Sequence, residues 1–573
     1  MANVAADTAV FGLCMLAVLL IAKPLGLYIA RVFEGRCKFL RILEESAYEA
    51  CGINPSEEMD WKDYAVSMML FNIIGIAALL AILLFQQYLP LNPQNYGGFR
   101  WDLAVNTAVS FVTNTNWQAY SGESQASYFT QMAGLAVQNF LSAATGLCIA
   151  IALIRGITRQ SSRTLGNFWA DMARGTVYLL LPAAFAGALL LASQGVIQNF
   201  SPYVNSNLME PYVASDGRNV TTQEIPMGPV ASQEAIKELG NNGGGFFGAN
   251  AAHPFENPTP LTNILEILMI LAIPFSLTYT FGRMAKDTRQ GWAIFAVMML
   301  FLAAAYAFGY YFELKGNPLL ENAGISGDYL EGKETRFGIG GSVLYAAATT
   351  GTSTGSVNSM HDSMTPLGGM MPMALIMLGE VCPGGIGSGL YTMLPYVIIA
   401  VFVAGLMVGR TPEYLGKKIE AIDMRCSVII VLIPPMLVLL FSAIAILLPE
   451  GASSIYNMGP HGVSEILYAF ASMANNNGSA FGGLNANTVF YNLMGAIAML
   501  AGRFIPAIAA LALAGSLAAK KVYQSPDVLR TSTMTFIIWL IMVIVLVDTI
   551  SFLPALALGP IVEHLLMITG GVF

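Results

Sequence analysis

Long apolar runs, repeated from one end of the chain to the other, constrain the fold more than any other feature of this sequence. A helix that crosses a membrane needs about 20 mostly apolar residues. Only 11% of the 573 residues are charged, too few to cover a water-facing surface. The chain is therefore predicted to be an all-α polytopic membrane protein with ten transmembrane helices, at Thr8–Ala30, Ala65–Tyr88, Tyr128–Leu153, Gly175–Leu191, Thr259–Phe281, Gly291–Phe312, Met370–Val408, Ser427–Leu448, Thr488–Ala519 and Met534–Leu556.

The basic residues are unevenly distributed between the connections. The segments after the first, third, fifth, seventh and ninth runs hold 19 of the 27 lysines and arginines, and the other segments hold six. Cytoplasmic loops carry such an excess, so this pattern predicts that both termini are extracytoplasmic. A net charge of -8 leaves no basic footprint for a nucleic acid.

Four segments on the side of the termini share one pattern. Each contains a short, weakly apolar stretch, then a Gly/Asn/Thr-rich loop, then another long apolar run. About 11 or 12 residues are too few to cross a membrane but enough to enter halfway and return. The predicted half-helices are Trp101–Val112, Pro229–Leu239, Gly338–Thr349 and Val463–Ala474.

The four polar loops align on one small residue each, with separations of 127, 112 and 123 residues. A common period of this kind indicates an internal repeat. It predicts four pseudo-symmetric membrane–pore–membrane repeats around a central potassium filter. The predicted filter residues are Thr113, Asn114, Thr115 and Asn116; Asn241, Asn242 and Gly243; Ser353, Thr354 and Gly355; and Asn476, Asn477 and Gly478.

The residue types in these loops point to a filter of backbone carbonyls. Turning successive carbonyl groups toward an axis needs left-handed backbone angles, which glycine and then asparagine adopt most readily. Rings of such carbonyls replace the hydration shell of a cation. The four loops contain no Asp or Glu, which favours potassium over sodium or calcium. The alternative is that these loops are ordinary surface turns.

The repeats predict the division of the chain. Residues 1–64 hold the first helix and a cytoplasmic loop, and residues 534–573 hold the last helix. Between them we expect four repeats, at residues 65–174, 175–290, 291–425 and 426–533.

The seventh apolar run is too long for one straight crossing and is interrupted by a glycine-rich stretch that includes Gly384 and Gly385. A break at that depth is tolerated where it faces protein or a water-filled cavity. It predicts a gate or a lateral exit below the filter, or else close helix packing by small residues. As a hypothesis, Glu380 beside the break faces the cavity and attracts the cation.

Two further residues are candidates for supporting the filter. Gln118 follows the first loop and is expected either to brace it through its amide or to pack plainly. Arg503, inside the ninth apolar run, is costly in lipid and should face the protein interior. It would form either a positive barrier under the filter or a structural ion pair.

Six long motifs extend from the first repeat to the last helix: Val109–Gln118, Met227–Phe247, His253–Pro258, Gly409–Lys418, Asn475–Phe481 and Pro554–Pro560. They resemble one known family, the potassium-binding A subunit (KdpA) of bacterial Kdp potassium-transporting ATPases. The resemblance implies ten helices with four pore repeats and both termini outside the cell. It also implies a location in the bacterial inner membrane.

The resemblance implies partners as well. No aspartyl-phosphate motif is found in the sequence, and the run Gly416-Lys417-Lys418 does not fit a P-loop. The chain is thus expected to be a non-catalytic subunit. A P-type ATPase subunit would hydrolyse ATP and receive potassium from the filter through a tunnel, and small membrane subunits would complete the complex. We expect K⁺ as the transported ion, with no other metal and no organic cofactor.

Two alternatives stay open at this level. The chain could be a stand-alone potassium channel or transporter of the same superfamily, acting down the electrochemical gradient. It could also be a scaffold that transports nothing, whose polar loops are surface turns.

Overall fold

A computed structural model describes residues 4–214, 217–325, 327–379, 381–522 and 529–570. Within these ranges, ten helices are long and apolar enough to cross a membrane. These spanning helices 1 to 10 are Val4–Phe33, Trp61–Tyr88, Thr130–Thr158, Phe168–Ser193, Pro260–Met284, Thr288–Asn322, Ser388–Val408, Ala421–Leu447, Val489–Ala519 and Met534–Thr569. The predicted number of spanning helices is confirmed.

A shorter helix lies between the two spanning helices of each predicted repeat. These half-helices 1 to 4 are Trp101–Val112, Val230–Leu239, Gly338–Gly351 and Pro460–Ala474. Half-helix 1 has the predicted limits, and half-helix 4 begins three residues earlier than predicted, with Pro460 in its first turn. Proline is favoured there because its missing N–H has no intrahelical partner in any case. The domain limits proposed from the sequence stay predictions.

The protein has two faces. The terminal face carries the start of spanning helix 1 and the end of spanning helix 10, where His461 contacts Glu563 at 2.8 Å. The basic face lies at the other end of the helices, where Arg159 pairs with Glu58 at 2.8 Å. All four half-helices enter from the terminal face, as their connections to the spanning helices require.

Small residues allow close packing between spanning helices. Gly26 of spanning helix 1 lies against spanning helix 5, where an added Cβ would lie 2.6 Å from the Ser276 carbonyl oxygen. Gly156 of spanning helix 3 meets Ala514 of spanning helix 9 in the same way, at 2.5 Å. Such contacts bring backbones together where lipid gives no hydrophobic drive for association.

Hydroxyl and carboxyl side chains define where several helices begin. Thr259, Thr488 and Thr533 each accept a hydrogen bond from a backbone N–H of the first turn. Asp60 does the same for spanning helix 2, accepting from the backbone N–H of Lys62 at 2.7 Å. These N-caps satisfy donors that have no partner within the helix.

The basic face is closed by a buried lysine in a short hairpin. Lys417 is 1% exposed, and its ammonium donates to the carbonyls of Gly156 at 2.9 Å and Leu517 at 2.7 Å. It also donates to the Arg159 carbonyl. These carbonyls belong to the ends of spanning helices 3 and 9, so one ammonium caps two helices.

The seventh apolar run is divided in the structure. A short helix, Pro366–Met377, precedes the break, and spanning helix 7 begins only at Ser388. The predicted interruption of this run is therefore present, and the run forms two separate helices. Glu380 lies outside the described residues.

The expected all-α class holds for the membrane-spanning part, but three two-stranded antiparallel sheets among the described residues were not predicted. Val204–Val213 pairs with Asn219–Ile225 on the terminal face. The other strands and short helices are Met59–Asp60 with Thr164–Gly166, Glu413–Tyr414 with Lys417–Lys418, Arg41–Cys51, Gly122–Gln125, Asn250–Ala252, His361–Ser363 and Pro449–Ala452.

Candidate functional site

The four polar loops share one backbone conformation. In each loop the aligned residue and the residue two positions before it have positive φ, and the residue between them does not. The φ values are 64° and 54° at Asn114 and Asn116, 48° and 77° at Asn241 and Gly243, 51° and 89° at Ser353 and Gly355, and 54° and 100° at Asn476 and Gly478. The left-handed backbone angles expected in these loops are thus present at two positions of each loop.

The aligned residues bring the loops into direct contact. A Cβ placed on Gly243 would overlap the carbonyl oxygen of Thr354 in the third loop. A Cβ on Gly355 would overlap that of Asn477 in the fourth loop, and one on Gly478 that of Thr115 in the first. The Asn116 amide donates to the Gly243 carbonyl at 3.1 Å. Each loop therefore contacts the next, and the four form a closed ring.

A second ring, formed by side chains, repeats this order. Each first positive-φ residue donates from its side chain to the following loop. The acceptors and distances are the Asn241 carbonyl for Asn114 (2.8 Å), Thr354 Oγ1 for Asn241 (2.9 Å), the Asn475 carbonyl for Ser353 (3.2 Å) and Thr115 Oγ1 for Asn476 (2.8 Å). Asparagine thus supplies three members and Ser353 the fourth; Asn114 and Ser353 donate to backbone oxygens, whereas Asn241 and Asn476 donate to threonine hydroxyls.

Other filter side chains are held in place and turned away from solvent. Asn242 donates to Asn114 Oδ1 at 2.5 Å, and Asn477 donates to the Thr349 carbonyl at 3.1 Å. Thr113 shares a hydrogen bond of 2.8 Å with Thr115. These side chains are at most 4% exposed, so their amides and hydroxyls stabilise the loop backbone.

A cavity of about 540 Å³ opens above the ring on the terminal face. Asn116, Gly355 and Gly478 line its base, and Gln118 lines its wall. The Gln118 side-chain oxygen accepts from the backbone N–H of Gly245 at 2.9 Å. The predicted bracing by the Gln118 amide thus links the first loop to the second.

The half-helices end at the ring. Half-helix 1 ends at Val112, half-helix 2 at Leu239, half-helix 3 at Gly351 and half-helix 4 at Ala474, each directly before its loop. The C-terminal end of a helix carries a partial negative charge. Four such ends directed at one point favour a cation there.

A small cavity of about 20 Å³ lies on the other side of the ring. Asn476 of the fourth loop lines it together with Arg503 and Asp548. Arg503 is 5% exposed, and its Nη2 has no hydrogen-bond partner among the described residues. A volume of this size holds about one water-sized particle, so the space under the filter is narrow and polar.

The break before spanning helix 7 packs under the third loop. The Gly384 N–H donates to the carbonyl of Gly351, the last residue of half-helix 3, at 2.7 Å. The Gly385 carbonyl accepts from Gly389 at 3.1 Å. Polar backbone groups at the break are therefore hydrogen-bonded to half-helix 3 and to the start of spanning helix 7. This arrangement is compatible with both predicted interpretations, a gate and close helix packing.

Sequence analysis missed Asp548, which lies in spanning helix 10. It is 7% exposed, receives a hydrogen bond from Tyr396 at 3.1 Å, and leaves Oδ2 without a partner in the described part of the chain. A single carboxylate within the run MTFIIWLIMVIVLVDTISFLPAL was the available signal. Ionisable residues at such depth usually mark functional sites.

Two histidines near the fourth half-helix have opposite electrostatic states. Burial lowers the pKa of His361 to about 4, so its ring is neutral at pH 7. Burial also disfavours charge on His461, but its hydrogen bonds to Asp362 and Glu563 raise its pKa to about 10. His461 therefore acts as a cation that joins half-helix 4 to the end of spanning helix 10.

Comparison with known proteins agrees with this arrangement. The potassium-binding subunit of the potassium-transporting ATPase from Geobacter sulfurreducens is 57% identical, covering 97% of this chain and 98% of that protein. The protein of the same description from Hydrogenobaculum sp. is 56% identical, covering 96% of both chains. The crystal structure of the potassium transporter TrkH from Vibrio parahaemolyticus matches with a TM-score of 0.52 and 12% identity, over 87% of this chain and 96% of that one.

The TrkH likeness supports the fold alone, which is the predicted one of pore repeats. Residues 12–565 match the family described as the potassium-transporting ATPase A subunit, KdpA. This chain therefore belongs to the KdpA family of potassium-transporting ATPase A subunits.

Proposed function

We propose that this chain is the potassium-binding, non-catalytic subunit of a potassium-transporting ATPase and that it binds K⁺ within the ring of four loops. The closed ring is the observation that carries the proposal, because each loop meets the next through backbone or filter side chains. Four loops with alternating φ can present carbonyl oxygens from all sides to a dehydrated cation. The close relatives carry the same description.

The path of the ion begins at the terminal face and leaves the protein sideways below the ring. K⁺ enters the outer cavity, loses water in the ring and reaches the small cavity beneath it. There Asp548 attracts the cation, and the charge of Arg503 opposes its passage straight to the basic face. The break at Gly384 and Gly385 forms part of the wall through which the ion leaves sideways.

ATP hydrolysis belongs to a partner subunit in this proposal. A P-type ATPase subunit would receive K⁺ from the lateral exit, and small membrane subunits would complete the complex. The chain would lie in the bacterial inner membrane with the terminal face extracytoplasmic, since the basic face carries the excess of lysine and arginine. Purification in mild detergent tests the assembly: an ATPase subunit should co-purify, and its repeated absence would favour a stand-alone channel or transporter.

Direct ion binding tests the filter. The purified complex should bind a radioactive rubidium tracer, and K⁺ should displace it. Gly243→Asp should abolish this binding, because the new side chain would overlap the third loop. Gly97→Asp is the matched control, since Gly97 lies on the terminal face with nothing within 4 Å of an added Cβ. Normal binding by Gly243→Asp would refute the proposed site.

A further inference from the structure

Five charged side chains lie buried directly behind the second loop of the ring. Their exposures do not exceed 1%, although ionised groups are rarely buried unless they are paired. Three belong to half-helix 2, one to the loop after the filter and one to spanning helix 5. This charge cluster consists of Glu234, Lys237, Glu238, Glu256 and Glu266.

The charges in the cluster do not balance. The Lys237 ammonium lies 2.5 Å from Glu256, 2.7 Å from Glu234 and 3.8 Å from Glu238. Glu234, Glu238 and Glu266 each place an oxygen within 4.8 Å of the others. One ammonium therefore faces four carboxyl groups. Glu238 Oε2 and Glu266 Oε1 have no hydrogen-bond donor among the described residues.

Groups packed around the cluster do little to neutralise it. The Tyr345 hydroxyl of half-helix 3 lies 3.1 Å from an oxygen of Glu238 and 3.1 Å from an oxygen of Glu266, and it can donate its one proton to either, but it carries no charge. On the outer side Arg336 is paired with Glu334 at 2.7 Å. His253 and Glu123 are the other titratable neighbours, both beside Glu256. The cluster therefore has more carboxyl groups than cations in a low-dielectric interior, where the carboxyl groups compete for protons.

The cluster is in direct contact with the filter backbone. The Asn241 N–H donates to the Glu238 carbonyl at 3.2 Å, and the Asn242 N–H donates to that of Lys237 at 2.9 Å. On the opposite side, Tyr345 shares a hydrogen bond of 2.9 Å with Ser356, which follows Gly355. Half-helix 2 is thus joined to the second loop through the backbone of Lys237 and Glu238, and its carboxyl groups are linked to the third loop through the Tyr345 hydroxyl.

The other repeats have no such charge at the equivalent position. Lys237 lies six residues before Gly243, and the residues six before Gly355 and Gly478 are Thr349 and Ser472. Their hydroxyls accept the N–H of Gly355 and Gly478, each at 2.9 Å. A neutral hydroxyl is thus sufficient to brace the loop backbone. Bracing therefore does not explain why repeat 2 has ionisable side chains there.

We propose that the charge cluster sets the potassium affinity of the filter and makes that affinity depend on pH. Negative charge held beside the ring in a low dielectric attracts a bound cation. Carboxyl groups this close cannot all ionise together, so they take up protons as the pH falls. Each proton removes a negative charge from behind the ring and weakens K⁺ binding. This inference rests on the proposed function, since it assumes that the ring binds K⁺.

Ion affinity measured against pH tests the inference. In the assembled complex, rubidium binding displaced by K⁺ should weaken about tenfold between pH 8.5 and pH 6. Glu238→Gln holds that position in the neutral form. Its affinity at pH 8.5 should already be about tenfold weaker than that of the unmodified complex, and it should change less with pH.

Glu465→Gln is the matched control. Glu465 is equally buried in half-helix 4, but it lies 13 residues before Gly478, at the outer end of that helix. Its affinity and pH profile should match those of the unmodified complex. Glu234→Gln provides a second test within the cluster if Glu238→Gln does not assemble.

The outcomes separate the two proposals. If the unmodified complex binds no rubidium or K⁺, the proposed function fails. If it binds, but its affinity is equal at pH 6 and pH 8.5, or the cluster variants keep the affinity of the unmodified complex throughout, the charge cluster does not set the affinity.

Discussion

Two boundaries between neighbouring repeats use the same hydrogen-bonded pair in opposite surroundings. At the second–third boundary, Tyr345 shares a hydrogen bond of 2.9 Å with Ser356, and its hydroxyl lies 3.1 Å from an oxygen of Glu238 and from an oxygen of Glu266. At the third–fourth boundary, Tyr468 shares one of 2.9 Å with Ser479 and contacts His361 at 2.8 Å. Each serine lies one residue after its filter glycine.

The comparison distinguishes features that repeats 3 and 4 have in common from a feature that is present at one boundary only. A tyrosine hydroxyl joining a half-helix to the exit of its loop is common to repeats 3 and 4. Its outer partner is a set of carboxyl groups at one boundary and a neutral imidazole at the other, since burial lowers the pKa of His361 to about 4. The backbone geometry is thus shared by both boundaries, whereas buried carboxyl groups contact the tyrosine at the second–third boundary only.

The largest expected effect is one that both boundaries share. Gly243→Ala and Gly355→Ala should each weaken potassium binding by at least about 100-fold. In both variants the new Cβ overlaps a carbonyl oxygen of the next loop, at Thr354 or Asn477, and positive φ disfavours any residue with a Cβ. Rubidium displacement in the purified complex measures the loss.

Gly338→Ala controls for backbone strain alone. Gly338 has φ of 65° with nothing within 4 Å of an added Cβ, so the substitution should leave binding unchanged. A strong loss in only one filter variant would show that the two boundaries differ in backbone geometry as well as in charge.

Acid should destabilise the third–fourth boundary through His361. The pKa of His361 falls from 6.5 to about 4 on burial, so below pH 6.5 the unfolded chain binds a proton that the folded chain does not. Folding stability is therefore lost as the pH falls from 6.5 toward 4, by up to about 3 kcal/mol. Thermal unfolding of the purified complex at pH 7 and pH 5 measures this loss.

His361→Gln removes this titration while keeping a group that can contact Tyr468. The variant should lose less stability between pH 7 and pH 5 than the unmodified protein. If the variant loses as much stability between pH 7 and pH 5 as the unmodified protein, other groups cause the loss, including the charge cluster at the second–third boundary.

Removing the tyrosine hydroxyl should affect the two boundaries unequally. Tyr345→Phe removes a hydroxyl that can donate to either of two buried carboxyl groups, and it should destabilise the protein by about 2 to 3 kcal/mol. Tyr468→Phe removes a bond between neutral groups and should destabilise it by about 1 kcal/mol. Shifts in the thermal unfolding midpoint give the order, and equal shifts would mean that charge contributes nothing to the contrast.

The ring itself could be predicted because its requirements are local. Positive φ at Asn114 and Asn116 follows from the preference of asparagine for that conformation, and the repeat spacing identifies the aligned residues. The separation of 127 residues between Asn116 and Gly243 does not by itself show that a hydrogen bond of 3.1 Å joins their loops. Contact between these loops was expected only because the repeat period implied fourfold symmetry.

The charges could not be placed from the sequence for a physical reason. Glu234, Lys237 and Glu238 give half-helix 2 the pattern of an exposed, soluble helix. Their burial depends on Glu256 and Glu266, which come from a later loop and from spanning helix 5. Asp548 was visible as a lone carboxylate, but its position beside Arg503 follows only from the packing of spanning helix 10.

Removing a serine hydroxyl should give the smallest effects, and the two boundaries should be affected in the order opposite to that expected for the tyrosines. Ser479 is hydrogen-bonded to the Oδ1 of Asn477 as well as to Tyr468, so Ser479→Ala removes one of the hydrogen bonds that hold a filter side chain in place. We expect this variant to weaken potassium binding about threefold, since a hydrogen bond contributes about 1 kcal/mol. Ser356→Ala changes no charge, and its potassium affinity should stay within about twofold of the original. Rubidium displacement at pH 7.5 compares the two, and a larger loss for Ser356→Ala would mean that the hydroxyl chain to the carboxyl groups, rather than their charge, acts on the filter.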